Sequence, residues 1–139
     1  MRLVPGYNLW LGNARDCRDI RAILDAGIQA VVDLALEEPP AVLVRELTYC
    51  RFPLLDGAGN PNWLLSAAVK TVADLLCAGT PTLVCCGAGM SRAPAVAAAA
   101  TACIRGCSLT DALTLLLPSA LADISPALLA ALRAVVAIA

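Results

Sequence analysis

The sequence predicts an α/β domain with a mostly parallel central sheet flanked by helices. Short apolar runs typical of buried strands alternate along the chain with segments of helical periodicity, and strands joined by helices form parallel sheets. Glycine or proline interrupts the pattern between several of these segments, which marks their boundaries. With 139 residues the chain can bury a core, and we expect one domain over residues 1–139.

The first half of the chain contains three predicted strands. They are expected at 9–11, 28–34 and 47–54. A helix is predicted over 14–26, because isoleucine and leucine recur there at helical spacing and Gly27 provides a stop. Residues 37–40, Glu-Glu-Pro-Pro, break the pattern and indicate a loop.

The second half contains a further strand and four predicted helices. Asn60 is expected to cap a helix that has Pro61 at its first position and ends near Ala78. The strand that begins at Thr82 is followed by a glycine-rich loop and a helix that Gly106 stops. A capping box predicts a helix after Ser108, and Ser125-Pro126 opens the last one.

Composition excludes several classes of function. The net charge is −1 and the pI is about 5.2, so the chain lacks the basic surface typical of nucleic-acid binding. Although 60% of the residues are hydrophobic, the longest alanine-rich run, 93–104, has 12 residues. A spanning helix needs roughly 20. The N-terminus lacks the apolar core of a signal peptide, so we expect a cytoplasmic protein with no membrane partner.

The cysteines do not predict a disulfide framework or a metal site. There are seven, an odd number, and the chain has neither histidine nor a Cys-x2-Cys pair. The absence of histidine also excludes Ser-His-Asp and Cys-His catalysis. Five cysteines are predicted to be small buried hydrophobes: Cys17, Cys50, Cys77, Cys103 and Cys107.

The segment from Thr82 to Arg92 carries the strongest functional signal. A β-branched and apolar run ends in Cys86, five small or flexible residues follow, and Arg92 precedes a long helix. A tight loop at a helix N-terminus presents backbone N–H groups to an anion, and arginine can bind two oxygens of a phosphate. Positive charge nearby favours the thiolate form of Cys86, which is the nucleophile. These residue types in this order indicate phosphoryl transfer to sulfur.

The same residues resemble the Cys-x5-Arg signature of the cysteine-dependent protein tyrosine phosphatases, and the dual-specificity branch in particular. Segments similar to that branch also occur at 9–14, 26–34 and 108–113, so the resemblance covers about 7–132. It implies a phosphomonoester hydrolase with a cysteinyl-phosphate intermediate and no cofactor. Its catalytic residues would be Cys86, Arg92 and Asp56. The phosphate would lie in a substrate-binding loop of Gly87, Ala88, Gly89, Met90, Ser91 and Arg92.

Asp56 is the candidate general acid because the resembled family places an aspartate on a loop upstream of the cysteine. Asp56 lies 30 residues before Cys86, after a predicted strand. Its alternative role is an Asx turn beside Gly57. Ser91 has two candidate roles, a hydrogen bond to the thiolate or the support of loop geometry. Asp33 is explained as a strand end.

Two positions depart from the family pattern. Cys85 stands where histidine is usual, and Ala93 stands where a hydroxyl residue is usual. Losing both groups is expected to cost ~10-fold to 10³-fold in rate, mostly in hydrolysis of the intermediate. A catalytically impaired phosphate-binding pseudophosphatase is therefore the alternative. Sulfurtransferases have a different loop length, and low-molecular-weight phosphatases have the opposite order of cysteine and aspartate.

The predicted substrate is a phosphorylated protein or a small phosphomonoester. No lysine lies between Cys86 and Arg92, so the extra charge suited to a polyanionic inositide is missing. The sequence does not choose between phosphotyrosine and phosphoserine or phosphothreonine, and it leaves the oligomeric state open. The adjacent cysteines 85 and 86 also raise the possibility of reversible oxidation, with a third cysteine near the loop as the partner.

Overall fold

A five-stranded sheet forms the centre of the protein. The computed structural model describes residues 1–117 and 123–138. The strands are β1 (Arg2–Leu3), β2 (Leu9–Gly12), β3 (Ala30–Ala35), β4 (Thr48–Leu54) and β5 (Thr82–Cys85). They lie in the order β1-β2-β5-β3-β4. All neighbours are parallel except β1, which pairs antiparallel with β2 at one edge. The predicted mostly parallel sheet is confirmed, whereas the two-residue strand β1 was not predicted.

Helices cover both faces of this sheet. They are a short 3-10 helix (Asp16–Arg18), α1 (Ile20–Asp25), α2 (Asn62–Cys77), α3 (Arg92–Arg105), α4 (Leu109–Leu116) and α5 (Pro126–Ile138). Because alternate strand residues point to opposite faces, the interior divides into two clusters. The larger one joins the sheet to α2, α3, α4 and α5. The smaller one lies beneath the 3-10 helix and α1, and contains Cys17, Leu83 and Cys85.

Three local predictions were wrong in detail. The single helix predicted over 14–26 is two pieces, because the Asp19 carboxylate accepts a hydrogen bond from Ala22 N–H and starts a new helix there. Asn60 does not cap α2, which begins after Pro61. The Asn60 amide instead bonds both the N–H and the carbonyl of Leu55. Cys77, predicted to be buried, is exposed.

Helix α3 lies at the centre of the helical layer. Every residue from Arg92 to Ala102 is buried, and α3 packs against α2, α4, α5 and the sheet. Alanine occupies most of these positions, and its small side chain allows neighbouring elements to approach closely. Gly106 ends the helix in the left-handed conformation, as predicted. Across the described ranges, 1–117 and 123–138, no helix is long and apolar enough to span a bilayer.

Candidate active site

The loop 86–91 joins the carboxyl end of β5 to the first turn of α3. Backbone hydrogen bonds connect this loop to the last residue of β2 and to the segment that follows β2. The Cys86 N–H donates to the Gly12 carbonyl at 3.2 Å, and the Ala14 N–H donates to the Gly87 carbonyl at 3.1 Å. In parallel sheets ligands bind at this edge, beyond the carboxyl ends of the strands. The loop therefore lies where a substrate is expected.

Two glycines allow the loop to close tightly. Gly89 has φ +76°, and a Cβ there would lie 2.9 Å from the carbonyl carbon and oxygen of Gly12. A Cβ on Gly87 would lie against the Glu37 carboxylate and 3.1 Å from Arg92 Nη2. Any side chain at either position would therefore push apart the groups that surround the loop.

Cys86 lies at the floor of this loop with only 2% of its surface exposed. Its Sγ accepts a hydrogen bond from the Ala93 N–H, in the first turn of α3, at 3.4 Å. Pro94, the next residue, has no N–H that needs a partner. The positive end of the helix dipole thus faces the sulfur. Position 93 offers this sulfur a backbone N–H and a methyl group but no hydroxyl.

Arg92 is held from one end of its guanidinium group. Nη1 and Nη2 donate to the two carboxylate oxygens of Glu37, the first at 2.6 Å, and Nη1 also donates to the Leu54 carbonyl at 2.9 Å. The Nε–H is buried and has no hydrogen-bond partner among the described residues. Leaving a buried donor unpaired is costly. The edge formed by Nε and Nη2 is therefore available to an acceptor such as a phosphate oxygen.

Glu37 was predicted only as part of a loop, and the sequence reasoning missed its contact with Arg92. The hydrogen bond from Arg92 lowers the pKa of Glu37 below its ordinary value of 4.5. The same contact raises the pKa of Arg92. Both groups are therefore charged at neutral pH, and the ion pair fixes the arginine beside the loop.

Replacing Glu37 by glutamine is expected to lower stability at neutral pH and to have little effect in acid. Because the pKa of Glu37 is depressed in the folded protein, the ion pair stabilises the fold above pH 4.5 and loses that contribution as the pH falls further. Urea midpoints of wild type and Glu37→Gln, measured between pH 3.5 and 7, test this. Glu46→Gln, at an exposed ion pair, is the control. A difference in urea midpoint between wild type and Glu37→Gln that does not change with pH would contradict the assigned ion pair.

Asp56 lies directly across from the loop, joined to it by Ser91. The Ser91 hydroxyl donates to Asp56 Oδ1 at 2.5 Å and accepts from the Ser125 N–H at 3.1 Å. The hydroxyl hydrogen of Ser91 is thus directed at Asp56, so the hydrogen bond to the thiolate considered for Ser91 is not formed. The turn after β4 is held by the Asn60 side chain, as described above, which leaves Asp56 free to face the loop.

A cavity of about 160 Å³ collects these groups. Its lining consists of Asp56, Cys86, Ala88, Met90, Ser91, Arg92 and Asp123. The structure therefore brings Cys86, Arg92 and Asp56 to one small space, although Asp56 is far from the other two in sequence. Asp123 was not predicted. Its N–H donates to the Met90 carbonyl at 2.8 Å, which places it at the rim.

Solved structures that share this architecture along nearly the whole chain include phosphatases of the dual-specificity type. Human DUSP28 superposes with a TM-score of 0.81 at 24% identity, over 98% of this chain and 96% of that chain. A mouse protein of the dual-specificity phosphatase type, complexed with zinc tungstate, has a TM-score of 0.80 at 25% identity, over 94% and 83%. The human tyrosine phosphatase-like serine/threonine/tyrosine-interacting protein has a TM-score of 0.79 at 18% identity, over 94% and 92%.

The chain therefore has the dual-specificity phosphatase fold of the protein tyrosine phosphatase superfamily, and the fold implied by the Cys-x5-Arg resemblance is confirmed. No protein-family model matches the chain, and no curated protein matches it in sequence.

Proposed function

We propose that the protein is a phosphomonoester hydrolase of the dual-specificity type that acts through a cysteinyl-phosphate intermediate. The observation that carries this proposal is that one cavity is lined both by Cys86, a buried thiol, and by Arg92, whose buried Nε–H has no hydrogen-bond partner among the described residues. A nucleophile and an unsatisfied cationic donor in a small space suit a phosphoryl group, which needs both attack at phosphorus and neutralisation of its oxygens.

In the first step the Cys86 thiolate attacks phosphorus in line with the ester oxygen. The S–P bond forms as the P–O bond breaks, and Asp56 donates its proton to the departing oxygen. Loop N–H groups and the Nε edge of Arg92 bind the non-bridging oxygens. In the second step water attacks phosphorus, the Asp56 carboxylate accepts a proton from that water, and the S–P bond breaks to release phosphate and restore the thiolate.

Hydrolysis of an aryl phosphate between pH 5 and 7.5 tests the proposal, followed both at steady state and in the first turnover. Continuous turnover is expected. A single burst of released phenol, without turnover, would show that phosphoryl transfer to Cys86 occurs but that the intermediate is not hydrolysed. Neither turnover nor burst would contradict the enzyme.

Asp56→Asn is expected to slow hydrolysis of phosphates with poor leaving groups by ~10² to 10⁴-fold, the range of general acid catalysis. Phosphates with good leaving groups need no proton and are expected to lose far less. A series of aryl phosphates with graded leaving groups gives the comparison. Asp123→Asn is the matched control, because Asp123 lines the same cavity. Asp56 would be removed as the acid if Asp56→Asn slowed all the aryl phosphates equally. The same conclusion would follow if the effect of Asp123→Asn depended on the leaving group in the same way.

Ala93→Ser is expected to accelerate breakdown of the intermediate by about 10-fold, the value of one charge-assisted hydrogen bond. Ala93 follows Arg92, and its N–H already bonds the Cys86 sulfur, so a hydroxyl there lies near the leaving thiolate. The ratio of burst to steady-state rate measures this step. Ala95→Ser, another buried alanine of α3, controls for the added hydroxyl. A steady-state rate that is unchanged while the burst persists would contradict this role.

Two observations favour a phosphate-binding pseudophosphatase as the second candidate. Position 93 has no hydroxyl, and Cys85, which replaces the usual histidine, is a buried thiol that donates weakly to the Val32 carbonyl at 3.6 Å. One structural neighbour is itself named as phosphatase-like and interacting. Arg92-dependent binding of phosphate without burst or turnover distinguishes this function from the enzyme.

The substrate proposed is a phosphate monoester on a protein or a small molecule. Tungstate, bound in the mouse neighbour, is a tetrahedral oxyanion like phosphate, which supports an oxyanion-binding role for the equivalent fold. Arg92 is the one basic residue that the described part of the chain contributes to the cavity lining, which also contains Asp56 and, at the rim, Asp123. A substrate with a single phosphate therefore fits this rim better than a polyanion does.

A further inference from the structure

Three ionisable side chains meet on the face of the sheet opposite α3. Cys85 ends β5, Asp33 lies beside it in β3 at the same register, and Cys17 lies in the 3-10 helix above them. Their two sulfur atoms and a carboxylate oxygen all lie within 4.8 Å of one another. Each residue is at most 1% exposed. The proposed phosphatase chemistry uses none of the three.

The Asp33 carboxylate is hydrogen-bonded but has no counter-ion in contact. Oδ2 accepts from the Tyr49 hydroxyl at 2.5 Å, and Oδ1 accepts from the Ala35 N–H at 3.2 Å. The ion pairs found within 1–117 and 123–138 do not include Asp33. A buried carboxylate without a cation is costly, and in proteins such groups are normally paired or coordinate a metal.

The two thiols are oriented by weak bonds to carbonyl oxygens. Cys17 Sγ donates to the Ala14 carbonyl at 3.3 Å, and Cys85 Sγ donates to the Val32 carbonyl at 3.6 Å. The Arg18 guanidinium also donates to Cys17 Sγ, through Nη1 at 3.5 Å. A metal cation bound between the two sulfurs would allow both thiols to lose their protons.

We propose that Cys17, Asp33 and Cys85 supply three of the four ligands of a zinc site, with a water molecule as the fourth. Two thiolates and one carboxylate are donors that Zn²⁺ accepts. Zn–S bonds of about 2.3 Å and Zn–O bonds of about 2.1 Å in a tetrahedron separate two sulfurs by about 3.8 Å and sulfur from oxygen by about 3.6 Å. Since the ligand atoms already lie within 4.8 Å of one another, they need to move by about 1 Å at most. Binding displaces one proton from each thiol.

Such an ion would fasten three segments of the chain beneath the loop. It would join the 3-10 helix and β3 to the end of β5, one residue before Cys86. The sequence gives no metal-binding motif, because the ligands are 16 and 52 residues apart along the chain and only the fold brings them together. Cys85, one of the three ligands, stands where the resembled family usually has histidine.

Zinc binding to the reduced full-length protein tests the inference, with metal content and Tm as readouts that do not depend on activity. The protein is dialysed with reductant and zinc, cleared of free metal, and measured for zinc per chain. The Cys86→Ser variant removes the neighbouring thiol of the loop as a competing metal ligand. One zinc per chain and a raised Tm are expected in wild type and in Cys86→Ser. The variants are compared by their zinc affinity, which is measured by competition with a chromophoric chelator.

Cys17→Ser and Asp33→Asn are expected to weaken zinc binding by more than the ~10 to 100-fold that losing an outer-shell partner costs. Cys103→Ser, a half-buried cysteine on α3, is the matched control and is expected to bind as wild type does. Absence of stoichiometric zinc in the reduced wild type would overturn the site even if the variants fail to fold. Loss of zinc in Cys86→Ser, or equal affinity in Cys17→Ser and Cys103→Ser, would also overturn it.

Discussion

Replacing Cys86 by serine is expected to abolish hydrolysis of an aryl phosphate, by at least about 10⁴-fold in kcat. Serine is nearly the same size, so the buried floor of the loop stays filled. Its hydroxyl, however, stays protonated at neutral pH, and the N–H of Ala93 and the positive end of α3 cannot make it a strong nucleophile. The loss is thus one of chemistry rather than of folding.

Binding separates this loss from damage to the site. Inorganic phosphate or tungstate is expected to bind Cys86→Ser at least as tightly as wild type, because the loop N–H groups and Arg92 are retained and a negative charge has been removed. Cys103→Ser, remote from the cavity, is the control for loss of a thiol. Turnover above about a tenth of wild type would remove Cys86 as the nucleophile.

Arg92→Lys is expected to lower kcat/KM by about 10³ to 10⁵-fold, the range found when an arginine that neutralises a transferring phosphoryl group is lost. Lysine keeps the charge and can pair with Glu37 through its single ammonium group. It cannot bind Glu37 with one end and present an Nε–H edge to phosphate with the other, as the arginine does. Charge alone is therefore expected not to rescue activity.

The measurement is kcat and KM for an aryl phosphate, together with inhibition by inorganic phosphate. Phosphate affinity is expected to fall because the lost hydrogen bonds are also made to the ground state, and kcat is expected to fall because those bonds strengthen as charge develops on the phosphoryl oxygens in the transition state. Arg133→Lys, exposed on α5, is the matched control. An Arg92→Lys variant that keeps activity within about 10-fold of wild type would show that a point charge suffices.

The part of the site that could be predicted from the sequence is the part that is local in the chain. The strand, loop and helix over 82–105 are consecutive, and their residue types determine one another's backbone geometry. Cys86 and Arg92 could be identified for that reason. Asp56 lies 35 residues from its partner Ser91, and only the family resemblance suggested that it lies opposite the loop.

Glu37 and the Cys17–Asp33–Cys85 cluster could not be predicted, because their contacts are created by the pairing of β3 with β5 and by the packing of the 3-10 helix. A Glu-Glu-Pro-Pro loop looks like an ordinary solvated turn until the arginine 55 residues later is placed beside it. The failure at Asn60 has the same origin. A capping residue next to proline is a sound local prediction, but a competing bond to the chain that precedes it determined the outcome.

The burial of α3 limits which amino-acid substitutions this protein can accept. Helix residues 92–102 have no solvent-facing side, so a bulky side chain in place of an alanine there must displace a neighbouring helix or a strand. Because the first turn of this helix also presents the N–H that meets the Cys86 sulfur, such a displacement would move the loop 86–91 as well. A substitution along α3 that lowers stability by displacing its neighbours is therefore expected to change the geometry of the loop as well. New substrate preferences have to arise at the rim, at residues such as Met90 and Asp123, where a side chain can change without disturbing the interior.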